Sequence, residues 1–218
     1  MKPINNPDLH GMVPDKSDVA LILLDVINDL EFEGAEQLIE YALPMADKIA
    51  ALKRRAREAG IPVIYVNDNY GRWQSDLSKL VKHCLEDDVR GKPVVERLKP
   101  EEDDYFVLKP KHSGFFSTTL DVLLNYLQAR TLIITGIAGN ICVLYTANDA
   151  YMRDMNLIVP SDCTASNDKE DNDYALKQMQ KFLKADITPS DRLDVEALKR
   201  RAAEEPSPNN PSRQFAER

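Results

Sequence analysis

Three residues far apart in the chain, Asp25, Lys109 and Cys142, are of the types that thiol-based acyl transfer needs. They offer a proton carrier, a cation and a nucleophile able to attack a carbon-based electrophile. Cys142 follows the turn Gly136-Ile137-Ala138-Gly139-Asn140 and falls in the first turn of a helix expected from about Ile141 to Met152. Unpaired N–H groups and the dipole at a helix start favour an anion such as a thiolate. A nearby cation lowers a thiol's pKa further, and Lys109 is the candidate. Asp25, paired with Lys109, would then carry the proton. Each residue also has a plainer reading. Free cysteines are commonly packing residues, acids at strand ends are commonly turn or cap residues, and lysines are usually solvated. Cys84 and Cys163 lack the strand-to-helix setting and are read as packing residues.

The elements that must position these residues alternate. Val19 to Val26 is an apolar run expected to be a strand buried on both faces, with Asp25 near its end. Glu36 to Ala59 carries apolar residues at helical spacing and is closed by Gly60-Ile61-Pro62. Further strands are expected at Val63 to Val66, Tyr105 to Leu108, Thr131 to Thr135 and Asn156 to Val159. Helices are expected from Thr118 to Gln128 and from Asp168 to Leu183, and a short strand near Asp186-Ile187-Thr188 to close the sheet. Residues 67 to 104 read as irregular, with a helical stretch near Leu77 to Cys84. This alternation implies an α/β fold: three layers, α/β/α, around a mainly parallel, Rossmann-like sheet of about six strands. Ligands in such folds bind beyond the carboxyl ends of the strands, where Asp25, Lys109 and Cys142 would meet. One domain is expected over residues 1–188, followed over 189–218 by a helix near Val195 to Ala203 and a polar tail. The stretch Glu204 to Ser212 cannot bury a core and is expected to be mobile or docked on a partner subunit.

Composition narrows the function classes. The 28 Lys and Arg are outnumbered by 36 Asp and Glu, which argues against a nucleic-acid binding face. No apolar run of membrane-spanning length occurs, so no membrane role is expected. The polar start, Met1 to Asn6, does not read as a secretory signal, which makes the cytoplasm the expected location. Three cysteines without a C-x-x-C, and the scattered His10, His83 and His112, suggest neither a disulfide framework nor a metal site, and no cofactor is expected. The dinucleotide and P-loop glycine patterns and the G-x-S-x-G elbow are missing.

Three blocks sharpen the reading: Leu24-Asp25-Val26-Ile27-Asn28-Asp29-Leu30, Val107-Leu108-Lys109-Pro110-Lys111-His112-Ser113-Gly114-Phe115, and Ile134 to Val143 followed by Thr146 to Ala150. In these, and over roughly Asp18 to Thr188, the chain resembles the isochorismatase-like cysteine hydrolases. That family includes nicotinamidases, N-carbamoylsarcosine, ureidoacrylate and maleamate amidohydrolases, and isochorismatases. The resemblance implies Asp25, Lys109 and Cys142 as a catalytic triad. It also implies a cis peptide between Ile137 and Ala138, and an oxyanion hole from the N–H groups of Ala138 and Cys142. The implied activity is hydrolysis of a C–N bond in a small amide or carbamoyl compound through a cysteine thioester. An isochorismatase-type vinyl ether hydrolase and a non-catalytic binding protein of the same fold are the alternatives. Relatives are commonly dimers or tetramers, so a homo-oligomer is expected. The family's nicotinamidases bind a metal through an Asp-x-His pair and a later His. Here the stretch reads Asn67-Asp68-Asn69-Tyr70-Gly71-Arg72-Trp73, without histidine, and Asp68 alone is no metal site. Asn69, Tyr70, Trp73, Phe115 and Ile137 are the candidate substrate-pocket residues, with loop packing as the alternative for Tyr70 and Trp73. His112 is either a polar pocket residue or a surface histidine.

Overall fold

A computed structural model describes residues 16–71 and 76–204. β1 (Val19–Leu24) is buried at every position. Its period-two alternation sends Val19, Leu21 and Leu23 into one apolar cluster and Ala20, Ile22 and Leu24 into another, one on each sheet face. α1 (Ala35–Glu58) lays Leu38, Ala42, Met45, Ile49, Leu52 and Ala56 on the first cluster. It ends in a left-handed Gly60: the N–H groups of Gly60 and Ile61 donate back to the carbonyls of Arg57 (2.9 Å) and Ala56 (2.8 Å).

β2 (Val63–Asp68) is followed by α2 (Leu77–Glu86) and α3 (Lys92–Arg97), then β3 (Tyr105–Lys109), α4 (Leu120–Leu127) and β4 (Thr131–Ile137). A π-helical turn, Gly139–Val143, leads into α5 (Leu144–Tyr151). β5 (Asn156–Ile158), β6 (Thr164–Ala165) and α6 (Lys169–Phe182) follow, then a 3-10 turn (Ser190–Arg192) and α7 (Val195–Glu204). The strands are parallel in the order β3-β2-β1-β4-β5. β5 and β6 share one edge of β4, the first against Thr131 to Ile133 and the second against Gly136 and Ile137.

The last strand and one helix differ from the sequence expectation. The sixth strand is Thr164–Ala165, while Asp186 makes only a single bridge to Ile158. Beyond Asp186 its own carboxylate takes the Thr188 N–H at 2.9 Å and Pro189 follows, so the chain turns away before a ladder can extend. α3 lies in a stretch expected to be irregular; six residues are too short to show a periodic stripe.

α7 adds Val195, Leu198 and Ala202 to the first cluster. The Arg55 guanidinium donates to the carbonyls of Ser190 (2.6 Å) and Leu193 (2.9 Å), and the Lys199 ammonium donates to that of Ala59. The polar tail beyond Glu204 lies outside the described residues. Among the described residues no helix is long and apolar enough to cross a membrane.

Candidate active site

β1 and β4 are neighbours whose outgoing connections diverge: β1 leads to α1 on the first cluster, β4 to α5 on the second. This is the topological switch point where a doubly wound sheet opens a crevice. Asp25 follows β1 and takes a left-handed conformation, φ 52°. Asn67 steadies the segment behind it, accepting from the Ile27 N–H (3.2 Å) and donating to the Ile27 carbonyl (2.7 Å). Lys109 ends β3, directly beside Asp68, which ends β2.

Cys142 is reached through a crowded turn. Gly136 has φ 115°, and a Cβ there would sit 2.1 Å from the Leu24 carbonyl oxygen. A Cβ on Gly139 would sit 2.0 Å from Asn172 Oδ1 on α6. At Gly136 the obstacle is backbone and only glycine permits the approach; at Gly139 the Asn172 side chain would have to move. The Ile137–Ala138 peptide is cis. The Ala138 carbonyl then accepts from the N–H groups of Ile141 (3.0 Å) and Val143 (3.1 Å), and Ser166 Oγ accepts from the Asn140 N–H (3.1 Å). The expected helix at Ile141 therefore begins two residues earlier, as a π turn that carries Cys142 in its first circuit.

The three distant residues converge. The Lys109 ammonium lies 2.9 Å from Asp25 Oδ2 and 3.5 Å from Cys142 Sγ. Asp25 Oδ1 accepts from the Asp68 N–H at 2.7 Å. Lys109 is fully buried, Asp25 is buried and Cys142 is partly exposed. The loop after Lys109 is pinned to the helix that follows Cys142: the Gly114 N–H donates to Thr146 Oγ1 (2.9 Å), and the Ser113 hydroxyl donates to Asp149. Ser113 and Thr146 lie in the blocks that carry the resemblance but were given no role there, and Asn67, Ser166 and Asn172 carry no local pattern that would single them out.

The electrostatics differ from the sequence expectation in one respect. Burial pushes the Cys142 thiol up to about 12, and the Asp25 charge pushes it the same way while Lys109 opposes both. The expected lowering is therefore reversed, because the ammonium lies closer to Asp25 than to sulfur and the low-dielectric site disfavours a thiolate. Burial also raises Asp25 above the usual carboxylate range, with Lys109 opposing. Lys109 is disfavoured by burial but held above its ordinary value by Asp25 and Cys142. A thiol held protonated beside an acid of raised proton affinity suits proton transfer from sulfur to Asp25.

The candidate pocket residues divide. Asn69 is buried; its N–H donates to the Lys109 carbonyl (3.0 Å) and its Oδ1 accepts from the Gly71 N–H (2.9 Å). Tyr70 is half-exposed, with its hydroxyl 3.4 Å from the Ile27 carbonyl. Phe115 is packed in the second cluster beneath the Arg153 guanidinium, and Ile137 in the first. Trp73 lies outside the described residues. His112 is exposed and meets the ring of Tyr145, three residues after Cys142, with 5.7 Å between centroids. Cys84 and Cys163 are buried free thiols. Among the described residues no three His, Cys, Asp or Glu side chains gather as a metal-binding group.

Comparison with known proteins identifies the family. The family model described as the Isochorismatase domain matches residues 19–191. The isochorismatase family protein YaaI of Bacillus subtilis is 46% identical over 82% of this chain and 97% of its own length. The ureidoacrylate amidohydrolase RutB of Methylorubrum extorquens is 33% identical over 69% of this chain and 71% of its own. Among solved structures, the N-carbamoylsarcosine amidase of Thermoplasma acidophilum superposes with a TM-score of 0.62 at 25% identity, covering 81% of this chain and 99% of that one.

Proposed function

Because this chain belongs to the isochorismatase family, we propose that it hydrolyses a C–N bond of a small amide or carbamoyl compound through a thioester on Cys142. The observation that carries the reading is one buried ammonium touching both a carboxylate and a thiol, Lys109 between Asp25 and Cys142. Relatives named amidohydrolase and amidase support the bond class.

In the proposed reaction, Asp25 takes the thiol proton as sulfur attacks the carbonyl carbon. The oxyanion rests on the N–H groups of Ala138 and Cys142, and Lys109 steadies the charges. The C–N bond breaks as protonated Asp25 gives its proton to the leaving nitrogen, releasing ammonia or an amine. Asp25 then takes a proton from water as the water attacks the thioester. Sulfur departs, regains that proton, and the acid product leaves. Action in the cytoplasm and assembly as a dimer or tetramer belong to the same proposal.

Ammonia or amine release from a panel of small amides and ureido compounds tests it, comparing the unaltered protein with Cys142→Ala. The expected loss is about 10³-fold or more. Full turnover by Cys142→Ala would remove the thioester. No ammonia or amine from any compound of the panel would instead favour the second reading, vinyl ether cleavage, for which Asp25 with its raised pKa is also fit to donate a proton.

A further inference from the structure

We infer that Asp68 is a positioning residue of this site, the fixed counter-charge that shares the Lys109 ammonium with Asp25 so that Asp25 stays free to take and return the thiol proton. The inference rests on the reading of Asp25, Lys109 and Cys142 as the reacting group.

An ammonium has three N–H donors and no acceptor. Lys109 is fully buried, so each donor needs a partner. Three acceptors stand around it: Asp25 Oδ2 at 2.9 Å, Cys142 Sγ at 3.5 Å and Asp68 Oδ2 at 3.5 Å. The Asp68 contact is built into the sheet, because the parallel register of β2 and β3 sets Asp68 against Lys109. Its carboxylate is also oriented, since Oδ1 accepts from the Tyr70 N–H at 2.6 Å and leaves Oδ2 toward the ammonium. Through its backbone the same residue holds Asp25, donating to Oδ1 at 2.7 Å.

The two acids differ in access to water: the Asp68 side chain is 33% exposed and that of Asp25 8%. Charge conservation separates their roles further. Before proton transfer, Asp25 and Asp68 both balance Lys109. After transfer, Asp25 is a neutral acid and the thiolate takes its place. Once sulfur has bonded to carbon, the sulfur charge is gone as well, and Asp68 is the carboxylate that still faces the ammonium. Without it, Lys109 would be drawn onto Asp25 and hold it as a carboxylate.

Iodoacetamide labelling needs no substrate. Rates at Cys142 are followed from about pH 6 to 10, with adducts located by peptide mass spectrometry, in the unaltered protein, Asp68→Asn, Asp68→Ser, Asp68→Glu and Lys109→Met. Removing one negative charge within roughly 7 Å of sulfur makes thiolate formation easier, so Asp68→Asn and Asp68→Ser should label Cys142 several-fold faster, up to about tenfold, near pH 8. Asp68→Glu keeps the charge and should stay within about twofold. Lys109→Met should label more slowly. Slowing in Lys109→Met with unchanged rates in both neutral Asp68 variants would overturn the Asp68 role alone. No slowing in Lys109→Met would overturn the triad reading and this inference with it. Faster labelling spread equally over Cys84, Cys142 and Cys163 would mean general loosening and would also overturn it.

Discussion

At the scale of single residues, the decisive quantity is where the thiol proton rests. Burial outweighs the attraction of Lys109: it leaves Cys142 a thiol, with a pKa pushed up to about 12, and raises Asp25 above its ordinary range. In the proposed reaction Cys142 is therefore activated by a base, not by standing as a thiolate. The pH dependence follows from the sign. Asp25 must be ionised to take the proton, so kcat/KM falls as pH drops through its raised pKa. We expect an acidic limb clearly above the ordinary aspartate value of about 3.9. An acidic limb at that value would assign the base elsewhere, and Asp25→Asn should abolish turnover across the whole range.

At the scale of elements, the sheet brings the residues together and a glycine lets it. The β4 backbone passes so close to the end of β1 that a Cβ on Gly136 would overlap the Leu24 carbonyl, at a φ that L side chains avoid. Gly136→Ala is therefore expected to cost about 3 kcal/mol. Gly71 is the control: its φ is 68°, but nothing lies within 4 Å of its Cβ position. Gly71→Ala should cost only the backbone term, roughly 1 kcal/mol. Urea denaturation of both variants measures the difference, and equal losses would contradict the close approach of β4 to β1. Most elements were legible because their apolar periods are clear: β1 as an unbroken run, α1 as a long stripe, β4 as Thr131 to Thr135. α3 and β6 were not, since six residues and two residues carry too little pattern.

At the scale of the whole molecule, the sheet has a separate apolar cluster on each face, and α7 belongs to the first of them. The expected boundary after residue 188 leaves this helix outside the domain. Its buried Val195, Leu198 and Ala202, the bonds from Arg55 to the chain just before it, and the bond from its own Lys199 to Ala59 argue for one cooperative unit. Leu198→Ala should cost about 3 kcal/mol and lower one shared unfolding transition. Separate transitions by near- and far-ultraviolet circular dichroism would instead make the helix an independent appendage.

What the sequence by itself determined is local: residue types, apolar periods, the turn glycines, and three blocks in the order that places Asp25, Lys109 and Cys142 at strand ends. Those are properties of neighbours in the chain, and the α/β alternation follows from them. Tertiary structure decided everything that sums over distant segments. The 2.9 Å and 3.5 Å contacts of Lys109, the upward direction of the Cys142 pKa and the packing of Phe115 and Ile137 into cores all arise from parts of the chain that meet only on folding. The same holds for Asp68, read from the sequence only as an acid that alone makes no metal site, until the register of two parallel strands sets it against Lys109. Register is fixed by pairing across the sheet, and burial by every element that covers a residue, so neither can be read from spacing along the chain.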